Sequence, residues 1–67
     1  MNKFAERLKE VLNVKGISQN KFAKTLEVGQ KTVNNWCLGL REPSFDMLIT
    51  ICKELEESAD YLLGLED

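Results

Sequence analysis

A row of polar side chains with hydrogen-bonding chemistry lies between residues 30 and 38. On a helix turning about 100° per residue, these side chains share one side, while Val33, Trp36 and Cys37 share the other. A Gln or Asn amide can bond N6 and N7 of adenine together, and a Lys ammonium can donate to guanine O6 or N7. A helix face that is merely solvated would carry the same residue types. The place of the row in the chain must therefore decide between a row that contacts bases and a row that only faces water. Its members are Gln30, Lys31, Asn34 and Asn35, with Leu38 at the end.

The row lies on the second of two short helices that the sequence predicts around a tight turn. Ser18 is a suitable N-cap for the first of them, which is predicted from Gln19 to Leu26. Residues 27–29 then interrupt the apolar period, and Ala23 is small enough to let the next helix cross closely. The second helix is predicted from Gln30 to Leu38, with a glycine after it as the stop. This pattern is typical of a helix-turn-helix, whose second helix enters a major groove of DNA.

Three further helices are predicted to support this pair. The first spans from about Asn2 or Lys3 to Val14, because four apolar residues form one stripe and a glycine follows. The fourth is predicted from Phe45 to Leu55 or Glu56, after a proline and a serine cap. The last covers residues 59–63 behind another serine cap. The core of the fourth helix is expected to comprise Phe45, Leu48, Ile49, Ile51, Cys52 and Leu55.

Length and composition favour one small all-α domain over residues 1–67. Trp36 lies on the same helix side as Val33, so it is expected in the core rather than as a platform on which bases stack. The chain has no His, and its two cysteines, Cys37 and Cys52, are too far apart for a zinc pair, so reduced thiols and no metal are expected. No apolar run approaches the length of a membrane span and no secretory leader is visible, which favours a cytoplasmic protein. Acidic pairs occur without a nucleophile or a pocket, so neither an enzyme nor a cofactor is expected.

The charge of the chain is divided between its two halves. Taken by itself, the net charge of −2 argues against binding of nucleic acid. Through Arg41, however, eight Lys or Arg residues stand against three Glu, a net of +5, while from Glu42 onward one Lys stands against eight acidic residues, a net of −7. The positive half contains the predicted helix-turn-helix, as expected for a protein that presents one face to DNA.

Several separated motifs together resemble the XRE family, the Cro and lambda-repressor-like DNA-binding domains. They are ISQNKFAKTLEV, TVNNW, GLREPS and SADYLLG, in that order, and the resemblance extends from about Phe4 to Gly64. It implies a compact five-helix bundle whose helices two and three form the helix-turn-helix. It also implies a transcriptional regulator, most simply a repressor, that binds operator DNA as a two-fold dimer.

The resemblance also assigns roles to individual residues. By position, Gln30, Lys31 and Asn35 would contact base edges, with Thr32 and Asn34 beside them. Ser18 and Gln19 would meet a phosphate at the start of helix two, and Arg41 would lie along the phosphates after helix three. A weak dimer would use the apolar C-terminal segment, although Tyr61 fits a surface residue equally well. The dimer residues implied are Tyr61, Leu62 and Leu65.

The chain departs from the family pattern at four places. Glu27 replaces the usual glycine of the turn and is expected to be left-handed, and Gly29 replaces a Ser or Thr cap. Glu57 replaces an apolar residue after helix four. An Arg in helix one and a Glu in helix three, which often pair in this family, are Leu12 and Cys37 here.

The alternative function is a protein-interaction module of the antitoxin or repressor-partner type, with DNA binding weak or lost.

Overall fold

The computed structural model describes residues 2–67, and within that range it contains five helices and no strand. The predicted all-α fold is confirmed, and the helix-turn-helix is formed by the second and third helices. Four of the predicted helices have the bounds expected from the sequence, whereas the first begins at Phe4 and extends one residue past Val14. The helices are α1 (Phe4–Lys15), α2 (Gln19–Leu26), α3 (Gln30–Leu38), α4 (Phe45–Leu55) and α5 (Ala59–Leu63).

Serine caps fix where three of the helices begin. The hydroxyl oxygens of Ser18, Ser44 and Ser58 each accept a hydrogen bond from the backbone N–H three residues later, at 3.1, 3.1 and 3.0 Å. Each bond satisfies one of the N–H groups that a helix start leaves without a partner. The same residues were identifiable as caps in the sequence, which is why these helix starts were predicted correctly.

The core is built chiefly by the first three helices. Their buried side chains meet Ile51 and Leu55 of α4 and Leu62 of α5 in one continuous cluster. Trp36 belongs to this cluster, which confirms its predicted place in the core. The contributions of α1, α2 and α3 are Phe4, Leu8, Val11, Leu12, Phe22, Ala23, Leu26, Val33, Trp36 and Cys37.

Helix α4 buries a narrower face than its sequence predicts. Phe45 and Ile49 were expected in the core, but their side chains are 87% and 54% exposed. On a helix turning about 100° per residue, the buried face is centred between Ile51 and Leu55, and Phe45 and Ile49 lie about 100° and about 140° from that centre. The helix is more apolar than its contact with the core requires, so sequence alone overestimated the buried stripe.

The C-terminal segment folds back on α1. The Arg7 guanidinium donates a hydrogen bond of 2.7 Å to the Tyr61 carbonyl, lies 4.4 Å from the centre of the Tyr61 ring, and also bonds the Glu66 carbonyl. The Tyr61 hydroxyl donates to the Glu10 carboxylate, which raises the pKa of the phenol. Leu62 is fully buried, so its predicted role in a dimer contact is wrong: it is part of the core of its own domain.

Glu27 has the left-handed conformation that was predicted for it, with φ 59° and ψ 41°. Glu27→Gly is therefore expected to raise the free energy of unfolding by about 0.5 to 1 kcal/mol, because glycine has no Cβ to clash with the carbonyl in this region. Chemical denaturation measures the change. Lys24→Gly is the matched control, since Lys24 is exposed within α2 and glycine there should lower stability by about 1 kcal/mol. An unchanged or lower midpoint for Glu27→Gly at an equal m-value would contradict the prediction.

Candidate nucleic-acid interface

The polar row lies on the solvent-facing side of α3. Val33, Trp36 and Cys37 are buried, so the orientation of the helix is fixed by the core. Gln30 lies seven residues before Cys37, on nearly the same side of the helix, but it is exposed at the first position of α3. Asn35 is half-buried at the edge of the row, while the other members are exposed to solvent. The exposed members are Gln30, Lys31 and Asn34, and Leu38 extends the same surface; Thr32, beside the row, is also exposed. The structure therefore brings all five predicted base-contacting residues to one accessible helix.

The turn before α3 is held by backbone hydrogen bonds. The Val28 N–H donates to the Ala23 carbonyl at 3.0 Å, and the Gly29 carbonyl accepts from the Thr32 N–H at the same distance. Ala23 is buried, as expected for a small residue where two helices cross closely. Gly29 supplies no side-chain cap, so the N–H groups of Gln30 and Lys31, the first two of α3, are left to solvent or to a ligand.

Arg41 follows the row after a short connection. The Asn35 carbonyl accepts hydrogen bonds from the N–H groups of Leu40 and Arg41, at 3.0 and 3.4 Å, so the connection is attached to the last turn of α3. The Arg41 side chain is exposed. A guanidinium placed there can bind phosphate oxygens while α3 faces the bases.

The predicted phosphate-contacting residues at the start of α2 differ in exposure. Ser18 is exposed, and its hydroxyl oxygen is occupied as the acceptor of the cap bond from the Lys21 N–H. Its O–H proton remains free to donate to a phosphate oxygen. Gln19 is half-buried in the first turn. Backbone N–H groups of that turn and the positive end of the helix dipole favour an anion at this position.

One contact near the interface was not foreseen from the sequence. The Asn2 side-chain amide donates a hydrogen bond of 2.7 Å to the Glu42 carboxylate, and the Asn2 side-chain oxygen accepts from the Phe4 N–H at 3.0 Å. Asn2 thus binds the first N–H of α1 and at the same time joins this helix to the segment that carries Arg41. The two residues are 40 positions apart, and the GLREPS motif that contains Glu42 gives no indication of the pairing.

The two thiols are not part of this surface. Both cysteines are free, with Cys37 buried and Cys52 half-buried. Burial raises the pKa of the Cys37 thiol, and the Lys9 ammonium lowers it by less. Burial also raises the pKa of Cys52, with a smaller contribution from the Glu57 carboxylate. In residues 2–67 no three metal-ligating side chains cluster, and none of the helices described there has the length and apolar character to cross a membrane.

Comparison with known proteins agrees with this geometry. A helix-turn-helix family model matches residues 8–62, which include the whole of α2, α3 and α4. The HTH-type transcriptional regulator ImmR of Bacillus subtilis (strain 168) is 32% identical over 62 residues, covering 92% of this chain and 49% of that protein. The uncharacterized HTH-type transcriptional regulator YqaE of the same strain is 37% identical over 60 residues, covering 90% and 52%.

The chain therefore spans about half the length of these curated relatives. The match to the family model nevertheless extends over most of the chain, and it includes both helices of the helix-turn-helix and the polar row on the second of them. This protein belongs to the XRE-type helix-turn-helix family of DNA-binding domains.

Proposed function

We propose that this domain binds a specific double-stranded DNA site in the cytoplasm, with α3 in the major groove, and regulates transcription, most simply as a repressor that occludes polymerase. The observation that carries the proposal is the exposed polar row on α3, whose orientation is fixed by the buried side chains behind it. The names of the relatives ImmR and YqaE, both transcriptional regulators, support the same function.

Base reading is proposed for the row itself. Gln30 and Asn35 carry amides that can meet the two groove-edge groups of adenine, and Lys31 can donate to guanine. Thr32 and Asn34 lie beside them, where a Thr methyl can contact the thymine methyl. Phosphate binding is proposed for three residues that flank the row, and such contacts set the register of the protein on the duplex. They are Ser18, Gln19 and Arg41.

Binding as a weak homodimer is also proposed. Leu65 is 74% exposed, and Tyr61 of the same C-terminal segment is half-buried, which supports an apolar contact there. Two copies of a domain with dimensions of 28 × 23 × 20 Å can place their α3 helices about one DNA turn, or about 34 Å, apart. The site recognised by such a dimer would be an inverted repeat.

Selection of bound duplexes from a random pool, followed by a salt titration, tests this proposal. We expect an inverted repeat with half-sites about one turn apart. We also expect the logarithm of the binding constant to fall with the logarithm of salt concentration by about 0.9 for each phosphate neutralised. Enrichment of no sequence, or a single unrepeated half-site bound by one protein, would contradict the proposed mode of binding.

The acidic C-terminal half supports a second candidate function. Its net charge of −7 is suited to a basic partner protein, and a domain of this kind would serve as a protein-interaction module. The salt titration separates the two functions, because contacts between scattered rim charges of two proteins give a shallow dependence on salt. A steep slope with a selected sequence identifies DNA as the partner.

A further inference from the structure

The segment between α3 and α4 makes little apolar contact with the core through residues 40–42. Leu40 is 67% exposed, and Arg41 and Glu42 are also exposed, so none of the three side chains is packed in the core. Beneath the segment lies a groove of about 180 Å³, lined by both ends of the Asn2–Glu42 hydrogen bond and by Trp36. Apolar packing therefore does not determine the position of the segment on this side.

Hydrogen bonds fix the segment instead. At its start, the Asn35 carbonyl accepts from the backbone of Leu40 and Arg41, and at its end Ser44 caps α4. Between these points the Asn2 amide spans the groove to the Glu42 carboxylate. The Asn2 side chain is itself held by the hydrogen bond that it accepts from the Phe4 N–H at the start of α1. The side chain of Phe4 is buried in the core.

We propose that Asn2 and Glu42 are positioning residues of the DNA interface, whose hydrogen bond holds the segment after α3 so that Arg41 is presented to a phosphate. This inference rests on the proposed function. The bond orders the segment before DNA arrives, so less conformational entropy is lost on binding. It also engages the Glu42 carboxylate on the α1 side, where it is kept from pairing with Arg41 or facing a phosphate.

Two variants of Glu42 separate this role from a simple effect of charge. Glu42→Gln and Glu42→Ala both remove the negative charge, but only glutamine keeps a side-chain oxygen that can accept from Asn2. Electrostatics alone predicts that the two variants bind the selected duplex equally, and more tightly than the parent. We expect Glu42→Ala to bind about threefold to tenfold more weakly than Glu42→Gln. Its salt slope should also be smaller, by up to about 0.9, because the Arg41 contact is weakened.

A double-mutant cycle assigns the effect to the pair. Asn2→Ala removes both the bond to Glu42 and the acceptor for the Phe4 N–H at the start of α1, and the loss of that acceptor should have the same effect in any background. We therefore expect Asn2→Ala to weaken DNA binding more in the parent than in Glu42→Ala. Equal effects in the two backgrounds would show that Asn2 acts only through its bond from the Phe4 N–H at the start of α1.

A measurement without DNA distinguishes failure of this inference from failure of the proposed function. Backbone NMR relaxation of residues 40–42 in the free protein should show greater mobility in Glu42→Ala than in Glu42→Gln. Equal mobility would overturn the inference whether or not the protein binds DNA. Greater mobility with equal affinities for the selected duplex would overturn the positioning role, whereas a parent chain that binds no duplex would overturn the proposed function and this inference together.

Discussion

Leu12→Arg is expected to lower the free energy of unfolding by about 3 to 5 kcal/mol, and adding Cys37→Glu is expected to restore much of that loss. Leu12 is 3% exposed and Cys37 is 1% exposed, and both belong to one core cluster shared by α1 and α3. A guanidinium introduced at position 12 would be buried without a partner. A carboxylate at position 37 would supply that partner if the two side chains meet.

The contact between Leu12 and Cys37 is a prediction that rests on the paired departure from the family pattern. Where related domains often hold an Arg and a Glu, this chain has an apolar side chain at both positions. Loss of one partner would leave an unpaired buried charge, whereas replacement of both by apolar groups is often neutral or stabilising. The Lys9 ammonium, one turn before Leu12 on α1, influences the Cys37 thiol, which supports proximity of this part of α1 to α3.

Urea denaturation of the two single variants and of the double variant measures the coupling. A double variant no more stable than the sum of the single effects would remove the case for the contact. Thiol labelling gives an independent check, because burial raises the pKa of Cys37 and so lowers its thiolate fraction. Native Cys37 should react slowly, and rapid labelling before unfolding would show that it is not buried.

Local signals in the sequence determined the helix bounds well. Ser18 and Ser58 mark helix starts because a hydroxyl satisfies a free N–H, and the glycines after α1 and α3 are left-handed and end those helices. The left-handed conformation of Glu27 was expected from the family resemblance, which places a glycine at that position of the turn. Glu56 adopts the same left-handed conformation, with φ 55°, in a turn with the same backbone hydrogen bonds, but it was not foreseen from the sequence.

Features that depend on tertiary packing were harder to predict. The apolar residues of α4 suggested a wide buried face, but how much of a face is covered depends on the neighbouring helices, and Phe45 lies outside the covered part. Leu62 and Tyr61 are neighbours in sequence, yet one is in the core and the other bonds Glu10. The bond between Asn2 and Glu42 joins residues 40 positions apart, so only the folded chain reveals it.

Asn35→Ala and Gln30→Ala are expected to weaken binding to the selected duplex by about 1 to 3 kcal/mol each. We expect the larger loss for Asn35, because its half-buried side chain has less conformational freedom to lose on binding. Gln30 is exposed at the first position of α3, so ordering its longer side chain offsets more of the hydrogen-bond energy.

The effect on base preference distinguishes direct reading from general weakening. Each amide variant should relax the preference at one base pair of the half-site and leave the salt slope unchanged, because the amides are uncharged. Lys31→Ala should instead relax one position if Lys31 meets guanine, or reduce the salt slope by about 0.9 if it meets a phosphate.

Asn13→Ala is the matched control for the amide variants. Asn13 is an exposed asparagine in the last turn of α1, so its truncation makes the same chemical change outside α3 and should leave affinity and base preference unchanged. The measurement is the affinity of each variant for a set of duplexes in which each position of the half-site is changed in turn to each of the four base pairs. If both α3 variants bound these duplexes as the parent and Asn13→Ala do, the polar row would be only a solvated helix face, and bases would have to be read from another part of the domain.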